Sequence, residues 1–214
     1  MSIGVIACGA IATHISSIQS EFGLDLVIYP LPPLLHNVPK KIAGEVDALL
    51  TTISPLHEKC VVAYADCGTY GELDAVISRH GVARLGGSHC YDVFAGKAII
   101  EEIMEHTPGT YFLTDFLVKS FHRSVVVELG LDRYPELRDE YFKNYQSVMW
   151  LAQRPTPELE EEALAAATLI GHPLTIRIVG QEKLAKEILN LVSDPNPAPL
   201  PAKLSERVDF DLPH

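Results

Sequence analysis

The sequence predicts an α/β protein built on an open, mostly parallel sheet. Short apolar runs alternate with amphipathic stretches of helical spacing, which is the pattern of strands joined by crossover helices. The chain has 214 residues, enough for one α/β domain, and its strand-forming runs are too few for an eight-stranded barrel. We therefore expect a Rossmann-like or flavodoxin-like sheet in a single domain over residues 1–192.

The first half of the chain supplies most of the predicted strands. Apolar runs predict strands over residues 3–7, 24–29, 60–64, 82–85 and 110–113. Apolar residues three and four positions apart predict helices over residues 10–22, 39–53, 71–80 and 92–106. The Pro-rich stretch 30–33 must be a loop, because proline lacks the backbone donor that a helix interior needs.

The segment 116–169 is predicted to be mainly helical and to form an insertion or cap on the sheet. Helical spacing covers residues 116–129, 134–151 and 157–169. A last strand over residues 174–179 and a last helix over 182–192 follow. From Ser193 prolines recur at short intervals, so residues 193–214 are predicted to be an extended tail, or an arm that lies on a partner such as a second copy.

The charge balance excludes some classes of function. The chain has 17 basic and 28 acidic residues, a formal net charge of −11, whereas nucleic acids and anionic membranes attract basic surfaces. No apolar run reaches the roughly 18 residues that span a bilayer. Four cysteines are too few for a disulfide scaffold and suit a reducing compartment. We expect a cytoplasmic protein that binds neither nucleic acid nor membranes.

Three of the four cysteines occupy equivalent places. Cys8 follows the first predicted strand, and Cys67 and Cys90 follow the third and fourth, each just before a helix. Ligands of open parallel sheets bind beyond the carboxyl ends of the strands. A helix N-terminus lowers the pKa of a thiol and favours the thiolate, which is the form that binds metals. Cys60 begins its strand at the opposite edge and is predicted to be structural.

Three thiolates at one edge repel each other unless a cation lies among them. We therefore predict a metal site formed by Cys8, Cys67 and Cys90. Zinc with an open fourth position fits this donor set, and so does a [4Fe–4S] cluster with one iron free for substrate. His36, in the loop after the second strand, and His89 are the candidate fourth ligands. The alternative is that the cysteines are small buried residues of the core.

Asp66, Asp115 and His89 are the candidate catalytic residues at this edge. A carboxylate or an imidazole there could transfer a proton or orient a ligand. A competing interpretation makes Asp115 the cap of the helix that begins near Phe116. For His89 the competing interpretation is that hydrogen bonds of its ring orient its loop.

Gly9, Gly68, Gly87 and Ser88 are the candidate cofactor contacts. Glycine lets the backbone turn sharply or approach a ligand closely, and two glycines before a helix could cradle a phosphate. The sequence has no G-x-G-x-x-G after a strand, no Walker loop, no G-x-S-x-G and no H-E-x-x-H. The common nucleotide-binding and hydrolase motifs are therefore excluded.

Several longer strings resemble those of one family. They are Leu35-His36-Asn37-x-Pro39, Tyr64-x-Asp66-Cys67-Gly68-Thr69, His89-Cys90-Tyr91, Leu113-Thr114-Asp115-Phe116 and Pro135-Glu136-Leu137-Arg138-Asp139. Over residues 3–153 the chain resembles the bacterial and archaeal family called domain of unknown function 1638. The resemblance implies that the helical segment is part of the family pattern and lines the site or an interface.

The resemblance also implies a place in metabolism. Genes of that family often accompany corrinoid-dependent methyltransferases that act on methylated amines. Together with the thiolate site, this implies a metal-dependent protein that acts on a small molecule in corrinoid-linked methyl transfer. A corrinoid protein or a methyltransferase is then the expected partner. The alternative is a non-catalytic accessory protein that carries a metal or a corrinoid to a methyltransferase.

Overall fold

Two parallel sheets organise the part of the chain that the computed structural model describes, residues 2–193. The strands are β1 (Ile3–Cys8), β2 (Leu26–Leu31), β3 (Lys59–Ala63), β4 (Ala83–Arg84), β5 (Thr110–Thr114), β6 (Ser147–Ala152) and β7 (Leu174–Ile178). The helices are α1 (Ala12–Phe22), α2 (Ile42–Ile53), α3 (Glu72–His80), α4 (Cys90–Ala95), α5 (Lys97–His106), α6 (Asp115–Phe121), α7 (Arg138–Phe142), α8 (Pro157–Ile170) and α9 (Glu182–Ser193). The strand orders are β2-β1-β3-β4 and β5-β6-β7, with every pair parallel. The predicted α/β class with mostly parallel strands is confirmed.

The first sheet is centred on β1. Its residues from Gly4 to Cys8 are all buried, and the strand pairs with β2 on one side and β3 on the other. A parallel strand covered by helices on both faces is apolar along its whole length rather than alternating. The apolar sequence of β1 therefore predicts a buried strand, and the end of that strand places Cys8 at the carboxyl edge of the sheet.

The second sheet is centred on β6, and here one predicted helix is wrong. The helical spacing assigned to residues 134–151 covers a short 3-10 turn, then α7, then β6. Trp150 of β6 is wholly buried between β5 and β7. A short buried strand is a continuous apolar run, and such a run also fits one face of a helix.

A glycine divides another predicted helix. The stretch 92–106 forms α4 and α5, separated by Gly96, whose φ is +94°. A side chain at Gly96 would also lie 3.3 Å from Cε of Lys183. Glycine is the residue that adopts this backbone conformation without strain, so the break is encoded at that position.

Helix α9 returns from the second sheet to the core of the first. Leu184 and Ile188 pack wholly buried against residues of the first sheet. Nζ of Lys59, at the start of β3, donates to the carbonyl oxygens of Leu191 and Val192 at 2.8 and 3.1 Å. The end of the described chain is thus hydrogen-bonded to the first sheet.

Ser193, where the extended tail was predicted to begin, is the last residue of α9. The rest of the predicted tail, residues 194–214, lies outside the described residues. Among residues 2–193 no helix is both long enough and apolar enough to cross a bilayer.

Candidate functional site

Cys8 ends β1 beside the Pro-rich stretch 30–33, whose first two residues, predicted to be loop, belong to β2 and pair with Ala7 and Cys8. Its side chain is 3% exposed, and the next residue, Gly9, donates its backbone N–H to the carbonyl of Leu31 at 3.0 Å. A Cβ on Gly9 would lie 2.5 Å from that carbonyl oxygen and 2.8 Å from Cδ of Pro33. Gly9 therefore allows the Pro-rich loop to lie directly against the end of β1.

That loop brings His36 to Cys8. Residues Pro33–Asn37 form a 3-10 turn, and Nδ1 of His36 lies 3.8 Å from Sγ of Cys8 and 3.2 Å from the carbonyl oxygen of Pro33. The imidazole stacks on the ring of Tyr64, with centroids 5.7 Å apart and planes inclined by 20°. The histidine predicted from the second loop is thus a neighbour of the first cysteine.

The loop after β3 carries Cys67 and is shaped by Asp66. Cys67 and Gly68 have φ values of +51° and +82°, so the backbone turns through the left-handed region twice in succession. The Asp66 carboxylate accepts hydrogen bonds from Oγ1 of Thr69 at 2.6 Å and from the backbone N–H groups of Tyr70 and Gly71, each at 3.2 Å. These bonds give Asp66 the role of holding the turn that presents Cys67, which is 8% exposed.

The loop before Cys90 is tied to the Cys67 loop. The backbone N–H groups of Asp66 and Cys67 donate to the carbonyls of Gly87 and Ser88 at 3.1 and 2.7 Å. The backbone link continues the pairing of β3 with β4 beyond both strands. Cys67 and Cys90, which is partly exposed at the start of α4, are therefore held in fixed relation.

Asp92 holds the turn that contains the other predicted cofactor contacts. Its Oδ2 accepts the backbone N–H groups of Ser88 at 2.7 Å and His89 at 3.1 Å. Gly87 has a φ of +94°, and a Cβ there would lie 2.8 Å from Cβ of Asp92. Gly87 and Ser88 thus shape the turn, and the Ser88 N–H is already bonded within the protein. Their contact with a cofactor stays a prediction.

The three cysteines affect each other electrostatically. Burial raises the pKa of the Cys90 thiol, and the charges of Cys67 and Cys8 raise it further. Burial also acts to raise the pKa of Cys8, but the hydrogen bond and positive charge of His36 outweigh it and lower that pKa. Burial lowers the pKa of His36, yet its contacts with the Cys67 and Cys8 thiols raise it to about 11. The contact between Cys8 and His36 thus favours the charged forms of both side chains.

We name Cys8, Cys67, Cys90, His36 and Tyr64 the cysteine cluster. Tyr64 directly follows β3 and is wholly buried, and its pKa is raised by burial and then by the charges of the three cysteines. Within residues 2–193 the buried side-chain polar atoms that make no well-aligned hydrogen bond are Oη of Tyr64 and Nε2 of His36, and both belong to this cluster. The Tyr64 hydroxyl nevertheless interacts with the Cys8 thiol, an interaction that raises the pKa of Tyr64 and lowers that of Cys8.

The cluster is a set of soft donors around unsatisfied polar atoms, but it is not a closed single-ion site. In the described part of the chain, no group of three or more His, Cys, Asp or Glu side chains is arranged to hold a metal ion. The charges of Cys8 and Cys67 are near enough to raise the pKa of Cys90, but the three sulfur atoms are not arranged around a common metal position. Cys60 lies at the start of β3, away from this edge, as predicted from its place in the sequence.

Of the remaining predicted catalytic residues, His89 directly precedes Cys90 as the cap of α4, and Asp115 lies in the second sheet. His89 is exposed, and its ring stacks on Tyr91 with centroids 6.2 Å apart. Asp115 begins α6 in the second sheet, while the residue that caps this helix is Thr114, whose side chain accepts the N–H of Leu117. The interpretation of Asp115 as the cap of its helix is therefore wrong by one residue, because the hydroxyl of Thr114 takes that place.

The Asp115 carboxylate joins the ends of β5 and β6 instead. Its Oδ1 accepts Nε1–H of Trp150 at 2.9 Å and the backbone N–H of Gln153 at 3.0 Å, and its Oδ2 accepts that of Arg154 at 2.7 Å. Oε1 of Gln153 accepts the N–H of Asp115 in return, at 2.8 Å. Three donors thus satisfy a carboxylate that is 6% exposed.

Sequence reasoning assigned no role to three residues around these edges. Tyr64 directly follows β3 and Asp92 lies in the first turn of α4, and both are close in sequence to named candidates, so their positions were a usable signal. His14 gave none: it lies in the first turn of α1, is buried, and accepts a hydrogen bond from Nε2 of Gln181 at 2.6 Å. Burial lowers the pKa of His14, with Asp115 acting in the opposite direction.

Comparison with known proteins gives one match. Residues 30–188 match the sequence model of a family described as "Protein of unknown function (DUF1638)". No curated protein and no solved structure matches the chain. The matched region contains His36, Cys67, Cys90 and Asp115 and extends over most of the chain. The chain therefore belongs to the DUF1638 family.

Proposed function

We propose that this chain is a metal-dependent protein whose Cys8, Cys67 and Cys90 thiolates bind zinc or an iron–sulfur cluster. The observation that carries the proposal is that three cysteines from the ends of three strands lie near enough at one edge for the charges of Cys8 and Cys67 to raise the pKa of Cys90. Thiolates bind both zinc and iron–sulfur clusters, and the contact with His36 lowers the pKa of the Cys8 thiol against the opposing effect of burial.

The bound group would act on a small molecule in corrinoid-linked methyl transfer within the cytoplasm. Zinc supplies Lewis-acid activation of a substrate or thiolate, and a cluster with three cysteine ligands supplies one open iron. The place in methyl transfer rests on the family resemblance, and zinc-bound thiolates and corrinoids are both used to move methyl groups.

The alternative proposal is a non-catalytic accessory protein that carries a metal or a corrinoid to a methyltransferase. Burial favours it: Cys8, Cys67 and Tyr64 each expose less than a tenth of their surface, which leaves little space for a substrate beside a bound metal. A pink protein that binds a corrinoid stoichiometrically and turns over no methyl donor would support this alternative.

Purification without oxygen, followed by metal analysis and visible absorption, tests the metal site. We expect stoichiometric zinc in a colourless protein, or iron and sulfide in a brown one. Cys8→Ser, Cys67→Ser and Cys90→Ser should each lower the affinity for the metal at least ~10-fold, because each removes a ligand. Cys60→Ser is the matched control and should keep the wild-type metal content. Metal-free wild-type protein, with all four variants alike, would contradict the proposal.

A further inference from the structure

Strand β7 leaves an apolar edge exposed on the second sheet. It is the last strand in the order β5-β6-β7, and none of its five residues is fully buried. Ile178 is 73% exposed and Ile176 is 39% exposed, although both are large apolar residues. These two residues pair with Ala152 and Trp150 of β6, so their side chains lie on the same face of the sheet as that core. The apolar face of the second sheet therefore continues to an open edge.

The backbone of β7 also points donors and acceptors away from the sheet. The N–H of Val148 donates to the carbonyl of Pro173, and the N–H of Val179 donates to the carbonyl of Ala152, each at 2.9 Å. The odd-numbered residues of β7 therefore face β6, and the N–H and C=O groups of the even-numbered residues face outward. These outward residues are Leu174, Ile176 and Ile178. Among residues 2–193 no strand lies beside them, and another extended strand is the partner that satisfies such a row of groups.

The other edges of the two sheets carry features that discourage such pairing. The carbonyl of Leu31 in β2 accepts the N–H of Gly9, so the neighbouring Pro30 is at an outward position, where it has no N–H to donate. Strand β4 has two residues, and four of the five residues of β5 are buried. Strand β7 has no proline and no buried residue, and its one charged side chain is Arg177. Within residues 2–193 it is the least protected sheet edge.

We propose that β7 pairs antiparallel with β7 of a second copy, so that two three-stranded sheets join into one. An antiparallel pair of identical strands is related by a two-fold axis, which gives a closed dimer. The sequence of β7 is complementary to itself, because every outward position is apolar. With the axis at Ile176, that residue lies opposite its own copy, and Leu174 lies opposite Ile178.

The charge of Arg177 selects this register. With the axis at Ile176, Arg177 lies opposite Thr175 of the second copy. With the axis at Arg177, two guanidinium groups would lie directly opposite each other, and like charges in that position destabilise a strand pair. An axis at Ile176 also pairs the strand over its whole length from Leu174 to Ile178. The proposed dimer therefore has one expected register.

Sedimentation equilibrium of the full chain tests the pairing, and Leu56→Lys is the matched control. Leu56 is 68% exposed and precedes β3 of the first sheet. We expect the wild type to form a dimer whose share rises with concentration. Ile178→Lys should raise the dissociation constant of that dimer at least ~10-fold, because it places a charge against Leu174 of the second copy. Leu56→Lys should leave the constant unchanged.

Disulfide cross-linking tests the register. In the proposed pair the Cα atom of residue 176 lies about 5.5 Å from its copy, a separation that a disulfide bridges. Ile176→Cys should therefore give a covalent dimer in oxidised glutathione, and a reducing agent should separate it. The two copies of residue 178 would lie about 13 Å apart along the strands. Ile178→Cys, although at the more exposed position, should cross-link no faster than the wild type.

Three results would overturn the proposed dimer. The first is a wild-type chain that sediments as a monomer at every concentration, as it would if another segment of the same chain covered β7. The second is an Ile178→Lys variant that dimerises like the wild type. The third is equal cross-linking of Ile176→Cys and Ile178→Cys. None of these results bears on the proposed metal site, because the strand pairing needs no bound metal.

Discussion

Three aspartates at the strand ends hold backbone N–H groups. Asp66 shapes the Cys67 turn, Asp92 shapes the turn before Cys90, and Asp115 joins the ends of two strands. Carboxylates are common after strands because the chain turns there and exposes backbone donors that need acceptors. The presence of aspartates at this edge was predictable from the sequence. Whether such a carboxylate acts in catalysis or accepts the backbone N–H groups of a turn depends on where those N–H groups lie, which the sequence does not reveal.

Asp115→Asn should therefore act on stability. An amide cannot accept all three hydrogen bonds of the buried carboxylate with equal strength, so we expect the free energy of unfolding to fall by about 1–3 kcal/mol. Urea unfolding measures the change. Asp132→Asn, at an exposed position, is the control and should stay within about 0.5 kcal/mol of the wild type. Wild-type stability in Asp115→Asn would contradict the structural role.

At the scale of elements, the sequence predicted the strands of the first sheet better than those of the second. The apolar runs of β1 and β3 are flanked by turn residues, and each was placed to within about one residue. β6 was mistaken for helix because the apolar run around Trp150 follows the helical residues of α7 with little punctuation. The break at Gly96 was missed because an isolated glycine is also tolerated inside a helix.

An ion-pair set links α2 to α3. Oδ1 of Asp47 lies 2.6 Å from Nε2 of His80, and its Oδ2 lies 2.9 Å from the guanidinium of Arg79. The His80 hydrogen bond, opposed by slight burial and aided by Arg79, holds the pKa of Asp47 below its ordinary value of 3.8. A carboxyl whose pKa is lower in the folded chain than in the unfolded chain stabilises the fold at pH values above its ordinary pKa of 3.8. This contribution is lost as the pH falls through the lower pKa of the folded state.

Asp47→Asn should remove that part of the acid sensitivity. The variant should be less stable than the wild type at neutral pH, and the difference should vanish in strong acid, where Asp47 is protonated in both states. Unfolding midpoints in urea across the acid range measure this. Glu58→Gln, at an exposed position, controls for the loss of one negative charge. A stability gap that persists unchanged in strong acid would show that the pairing is not the cause.

At the scale of the whole molecule, the cysteine cluster belongs to the first sheet. Three cysteines at three strand ends predict a shared place at one edge of the sheet, because parallel strands end at a common edge. The position of Tyr64 after the third strand was predictable, but its complete burial and its stacking on His36 were not. The division into two sheets was equally hidden, because strand spacing along the chain does not say which strands pair.

Helix α9 makes the first half of the molecule depend on the last described element. Ile188→Ala deletes a wholly buried side chain and should lower the free energy of unfolding by about 2–5 kcal/mol. Denaturant unfolding followed through Trp150, which lies in the second sheet, would show whether both halves respond. Asn190→Ala, at an exposed position of the same helix, is the control. An equal effect of both changes would contradict the packing role of Ile188.

The backbone bonds from Asp66 and Cys67 to Gly87 and Ser88 bear on how the proposed metal site would be filled. Together with the two turn-forming carboxylates, they brace the loops of Cys67 and Cys90 from within the protein. The two loops would therefore lose little conformational entropy on binding a metal. Small domains that fold only around their metal ion lose much more. We expect the chain to fold empty and be loaded afterwards, so that a donor protein or a chelator can exchange the metal on the native molecule.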